Sequence, residues 1–113
     1  MKKIEAIINP FNIKEVKSAL TEIGLRRMTI SKVGRFGSQK SHKEFYRADE
    51  YMIDVVEEFK IELIVTTDEM LDQVIETIRK TTKTGNVGGE EIFVFPIEGV
   101  IQIRTGERAR DAI

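Results

Sequence analysis

The run Thr84-Gly85-Asn86-Val87-Gly88-Gly89 is the part of this chain best suited to holding an anion, because glycines let backbone N–H groups approach a phosphate closely. On its own the run is better explained as the stop of a helix followed by a turn. The paired carboxylates Glu57-Glu58 and Glu90-Glu91 have the chemistry for proton transfer, yet each pair is sequential and borders a turn, which reads as a solvated charge cluster. His42 is the only histidine and has no second ligand at metal spacing, so no metal site is expected. Cysteine is absent, which excludes a disulfide framework, a thiolate metal site and a cysteine nucleophile. No Ser/His/Asp or Cys/His set is present, so no catalytic residue is assigned and the chain is not expected to be an enzyme. Phe93-Val94-Phe95 could stack bases in the manner of RNA-binding sheets. Two aromatics spaced this way on a strand are more often core, and Glu90-Glu91 beside them would repel a phosphate backbone.

Those residues must be held by a chain of 113 residues, the size of one domain with a single core. Charged residues make up 33% and hydrophobic ones 41%, a globular composition with a densely charged surface. With 18 basic against 19 acidic residues the formal net charge is -1, which disfavours sequence-independent nucleic-acid binding. The opening apolar run is interrupted by Glu5 and too short for a signal segment or a membrane span, so a cytoplasmic location without direct membrane insertion is expected.

Alternating Ile4, Ala6 and Ile8 predict a first strand that ends at Asn9-Pro10. Asn12 followed by Glu15 resembles a capping box, and Ile13, Val16, Leu20 and Ile23 share a helical face until Gly24 stops it. Met28 to Val33 reads as a second strand. Phe59, Ile61, Leu63 and Val65 give the clearest alternation and predict a third strand, antiparallel to the second. Thr67 or Asp68 caps a second helix with apolar positions Leu71, Val74, Ile75 and Ile78. Ile92 to Phe95 forms a fourth strand, and Val100 to Arg104 resumes extended structure after Pro96.

The order strand-helix-strand-strand-helix-strand predicts an α+β, ferredoxin-like βαββαβ sandwich over residues 1–113, with both helices on one face of an antiparallel sheet. Ile7, Ile64 and Ile103 would then leave apolar surface on the other face, which predicts that other subunits cover it. The segment from Gly34 to Tyr51 is long, charged and without period between two strands, the mark of a loop that presents a surface to a partner.

Several separated stretches resemble the nitrogen-regulatory PII signal-transduction family: Met1 to Phe11, Phe36-Gly37 with Gln39-Lys40 and His42, Tyr46-Arg47 with Glu50-Tyr51, Ile92-Phe93-Val94, and Ile103 to Arg108. The resemblance implies a homotrimer of ferredoxin-like subunits. Its T-loop, about residues 37–55 here, touches transporters, enzymes or regulators. A B-loop at about 83–91 and a C-terminal segment at about 102–113 would help to form clefts between subunits that bind adenine nucleotide. In some members 2-oxoglutarate binds beside ATP through magnesium. The tyrosine matching Tyr51 is uridylylated in some bacteria, which makes Tyr51 the candidate modification site, although Ala48-Asp49 places an unfamiliar acid nearby.

Carried over by position, Thr29, Ile64, Gly37 and Gln39 match the adenine pocket and the base of the T-loop, Gly88 and Arg104 match positions that hold phosphates, and Gly89 joins them as a nucleotide-binding position. Other positions depart from the pattern. Glu91 replaces a phosphate-binding lysine, Gln102 an arginine, Ser38 and Asn86 further basic residues, and Glu58 the lysine that would meet 2-oxoglutarate. Such a site would penalise ATP most. The expectation is a regulator with no required cofactor, gated by ADP, AMP or weakly bound ATP. The alternatives are a standard ATP and 2-oxoglutarate sensor with basic residues supplied from Lys40, Arg47 or Arg108, and an RNA-binding ferredoxin-like domain.

Overall fold

The structure, a computed structural model, describes residues 1–36, 55–82 and 90–108. Six elements follow in order: β1 (Lys2–Ile8), α1 (Ile13–Glu22), β2 (Thr29–Phe36), β3 (Val55–Val65), α2 (Asp68–Thr81) and β4 (Glu91–Pro96). The strands form one antiparallel sheet in the order β2-β3-β1-β4. The ferredoxin-like arrangement expected from the element order is therefore the one observed.

Period-two alternation decides the faces of this sheet. Ile4, Ala6 and Ile8 of β1 and Ile61, Leu63 and Val65 of β3 are buried against Val16 and Leu20 of α1 and Val74 and Ile78 of α2. Burying each of these Ile, Leu and Val side chains contributes about 1.5–3 kcal/mol before chain entropy is counted. Register places the alternate positions side by side on the opposite, helix-free face, including Glu5 opposite Glu62, Lys3 opposite Ile64, and Phe93 opposite Glu5.

The two helices begin differently. Thr67 caps α2 as expected, with extended backbone angles and its hydroxyl oxygen accepting from the Met70 N–H at 3.1 Å. Asp68 and Glu69 in the first turn, with Arg79 and Lys80 in the last, also suit the helix dipole. Asn12 makes no side-chain cap for α1, so the capping box is corrected. Its amide instead donates to Glu90 Oε2 at 3.1 Å, a contact with the residue just before β4. At its other end α1 closes in a Schellman turn. Gly24 adopts φ 101°, its N–H donates to Thr21 O, and the Leu25 N–H donates to Leu20 O. Leu25 packs against the core, which anchors the chain entering β2.

Two further expectations change. Phe93 and Phe95 are not core but stand 45% and 41% exposed on the helix-free face. Residues 100–104 do not continue as a strand: Ile101 bridges Arg108, Gln102 N donates to Glu107 O, and Gly106 at φ 77° donates to Gln102 O. The result is a tight hairpin with Ile103 and Arg104 exposed near its tip and Gln102 at its base. Left-handed backbone at Gly106 forces the reversal that the alternation of Ile101 and Ile103 concealed.

Candidate functional site

Arg35 organises one end of the helix-free face. It lies next to last in β2, beside Phe36, and its Nε donates to Glu58 Oε1 at 2.8 Å while a terminal nitrogen donates to Glu91 Oε1 at 3.2 Å. Glu58 comes from β3 and Glu91 from β4, so one guanidinium ties three strands together. Glu58 is 2% exposed, and a buried carboxylate needs such a partner. Both carboxylates hold the Arg35 pKa above its ordinary value, first through the bond to Glu58 and then through that to Glu91.

The adjacent glutamates are thus solvated only in part: Glu57 and Glu91 are exposed as expected, whereas Glu58 is buried and Glu90 half-buried, which corrects the expectation for those two. In each pair the strand alternation sends the two side chains to different partners. Glu57 is exposed and stands 3.7 Å from Lys32, whereas Glu58 is buried under Arg35. Glu90 Oε2 accepts from the Asn9 N–H at 2.8 Å and from the Asn12 amide, whereas Glu91 turns to Arg35. Glu90 thereby braces the turn in which Asn12 N donates to Asn9 O and Phe11 N donates to Asn9 Oδ1. Pro10 suits the second place of that turn.

At the other end of β2 and β3 lies an open cavity of about 580 Å³. Thr29 and Ile64, both matched to the adenine pocket by sequence, line it with Arg26, Arg27, Met28, Leu63 and Val100. Lys3 and Glu62 complete the lining and are themselves paired at 3.3 Å. Lys3 also reaches Glu5 at 3.1 Å, and Lys60 reaches Glu62 at 3.6 Å. This offsets the repulsion of two carboxylates directly across the ladder. Bonds to Glu5 and Glu62 raise the Lys3 pKa. For Glu62, partial burial pushes upward, but its bonds to Lys3 and Glu5 and the charges of Lys3 and Lys60 prevail and hold it below its ordinary value.

The structure therefore brings Thr29 to Ile64 and, separately, Glu58 to Glu91. Gln102 and Arg104 sit on the C-terminal hairpin and line neither wall of the cavity. Gly37, Ser38, Gln39, Tyr51, Asn86, Gly88 and Gly89 lie outside the described residues, as does His42. Sequence reasoning missed Arg35, Arg26 and Arg27. The signal for Arg35 was a cation at an outward position of β2, diagonal to Glu58 on the next strand. For the other two it was a pair of arginines just ahead of Thr29.

Among the described residues no group of His, Cys, Asp and Glu could hold a metal ion, and no helix is long and apolar enough to cross a membrane. The family model for Nitrogen regulatory protein P-II matches residues 1–107. The chain is 50% identical over 113 residues to the Nitrogen regulatory protein P-II of Pasteurella multocida, with all of both chains covered. It is 48% identical, again over the full length of both, to Nitrogen regulatory protein P-II 1 of Escherichia coli K12. A crystal structure of Arabidopsis thaliana PII bound to citrate matches with a TM-score of 0.75 at 37% identity, covering 99% of this chain and 91% of that one. With the βαββαβ fold, the family match over residues 1–107 and two full-length relatives named as nitrogen regulatory proteins, the chain belongs to the nitrogen regulatory protein P-II family of signalling proteins and is a regulator, not an enzyme.

Proposed function

We propose that this protein is a trimeric, cytoplasmic regulator gated by an adenine nucleotide of low charge, ADP or AMP ahead of ATP, with weakened 2-oxoglutarate binding. Its T-loop, about residues 37–55, would dock on a membrane transporter or a metabolic enzyme. Thr29 and Ile64 would hold the base, while Gly37, Gln39, Gly88, Gly89 and Arg104 would complete the cleft from loops and a neighbouring subunit. The observation that carries this reading is the Arg35 bridge to Glu58 and Glu91. These are positions where the family resemblance expects lysines for 2-oxoglutarate and phosphate. Among the described residues two carboxylates meet this one guanidinium, an acidic setting unfavourable for a triphosphate. Partial exposure of Phe93 and Phe95, with Ile7 and Ile64 only partly buried, supports assembly through the helix-free face. Calorimetric titration of ATP, ADP, AMP and 2-oxoglutarate tests the reading. Low-micromolar ATP binding, tighter than that of ADP and AMP, would overturn it.

A further inference from the structure

We propose that Arg35 receives a phosphate of the bound nucleotide, and that Glu91 is a built-in competitor which the phosphate must displace. The proposal rests on the nucleotide reading above, which puts the phosphates beside Glu91, and adds the exchange that sets the charge preference there. The two bonds of Arg35 differ in kind. Nε meets Glu58 Oε1 at 2.8 Å, and the Glu58 side chain is only 3% exposed. The terminal nitrogen meets Glu91 Oε1 at 3.2 Å, and that side chain is 47% exposed. A pair held away from water resists breaking, whereas an exposed one is worth little and exchanges readily. One arm of the guanidinium is therefore an anchor, and the other is an exchangeable donor.

The backbone confines this exchange to side chains. Glu91 opens β4 and is fixed on the ladder opposite Ile7, and Glu90 before it is held by the Asn9 N–H and the Asn12 amide. Arg35 is fixed opposite Val56 of β3. The Glu91 carboxylate is left as the part that can swing away, and a phosphate oxygen offers the terminal nitrogen the same kind of charge-assisted bond. Because Glu91 belongs to the same chain, it competes at a fixed effective concentration and lowers the apparent affinity for any anion that needs Arg35. Once displaced it stays beside the ligand and repels each further charge on it. Arg35 thus accepts an oxyanion, and Glu91 limits how much additional charge comes with it, which ranks a triphosphate below nucleotides with fewer phosphates.

The test is a mutant cycle read by calorimetry on the assembled full-length protein with ADP and adenosine, whose ratio of affinities isolates the gain from phosphate. Glu91→Gln is expected to raise that gain about fivefold in the parent, the worth of one exposed ion pair. In Arg35→Gln/Glu58→Gln, which removes the buried charges together, the same substitution is expected to bring no increase. Circular dichroism and sedimentation check that each variant folds and assembles. Should that background fail to assemble, Arg35→Lys replaces it: the ammonium keeps the charge and a bond to Glu58 but has no second arm for phosphate, so Glu91→Gln is again expected to bring no increase. An increase as large or larger in either background would show that Arg35 only screens Glu91 and does not touch the ligand; the proposal then falls while nucleotide binding stands. Failure of Glu91→Gln to raise the gain in the parent overturns it likewise. If adenosine, AMP, ADP and ATP all fail to bind the parent, the nucleotide reading and this proposal are overturned together.

Discussion

Arg35 Nε stands 2.8 Å from Glu58 Oε1, and Glu58 is the more deeply buried partner of the pair. Glu58 occurs on the helix-free face, where its strand neighbours at alternate positions, Lys60 and Glu62, are only partly buried. A carboxylate in that setting depends on its cation.

Arg35→Gln is accordingly expected to destabilise the protein by about 1–3 kcal/mol, because a buried carboxylate loses its charged partner. Adding Glu58→Gln should return part of that loss. Urea unfolding at fixed protein concentration measures both, with concentration held constant because assembly contributes to stability. Equal stability of Arg35→Gln and the parent would show that water satisfies Glu58.

ATP affinity is expected to rise by roughly ten- to a hundredfold in Glu91→Lys/Gln102→Arg. One charge contact at about 4 Å is worth roughly 4 kcal/mol at an effective dielectric of 20, and desolvation and screening remove much of it. AMP should change far less. Calorimetry of both nucleotides decides the matter, and unchanged ATP binding in a correctly assembled variant would discard the charge argument.

Acid should weaken the Lys3, Glu5 and Glu62 group. The folded-state pKa of Glu62 lies below its ordinary 4.5, so its contribution is present above that value and is lost as pH falls through the folded pKa. Lys3 runs the other way: its raised pKa gives a contribution present below 10.5 that disappears only as pH rises through the folded value. Melting temperatures from pH 7 to pH 3 should therefore fall less steeply for Lys3→Met than for the parent. Parallel curves would show that this group does not govern the acid limb.

A species of three times the 12.9 kDa protomer is expected in sedimentation equilibrium. Phe93→Glu should shift it toward monomer, since a new charge would enter the face proposed to be shared. A parent protein that remains monomeric at micromolar concentration would remove the trimer and the shared cleft.

The legible parts of the fold were those specified by neighbours in the chain. The alternation of Phe59 to Val65 revealed β3 because both its faces are set by period two, and Thr67 revealed the start of α2 because its capping bond spans three residues. Asn12 was misread because its partner Glu90 is 78 residues away, a competition that no local capping rule detects. Phe93 and Phe95 were assigned to the core of one chain, whereas the faces of the sheet depend on which side receives the helices. At the candidate site, Thr29 and Ile64 were placed together through family resemblance. The link from Glu58 to Glu91 was not legible, since it exists only once β2, β3 and β4 are folded into one sheet around Arg35.

The two carboxylates at the entrance to β4 also act as a register mark. Glu90 faces Asn9 and Asn12 while Glu91 faces Arg35, and the sequence flanks them with Gly89 and Ile92. A slip of β4 by one residue in one direction would offer Gly89 to the two asparagines; in the other it would offer Ile92 to Arg35. Either error leaves one set of polar groups without its acid, so the doublet detects misalignment in both directions, much as two adjacent graduations locate a vernier.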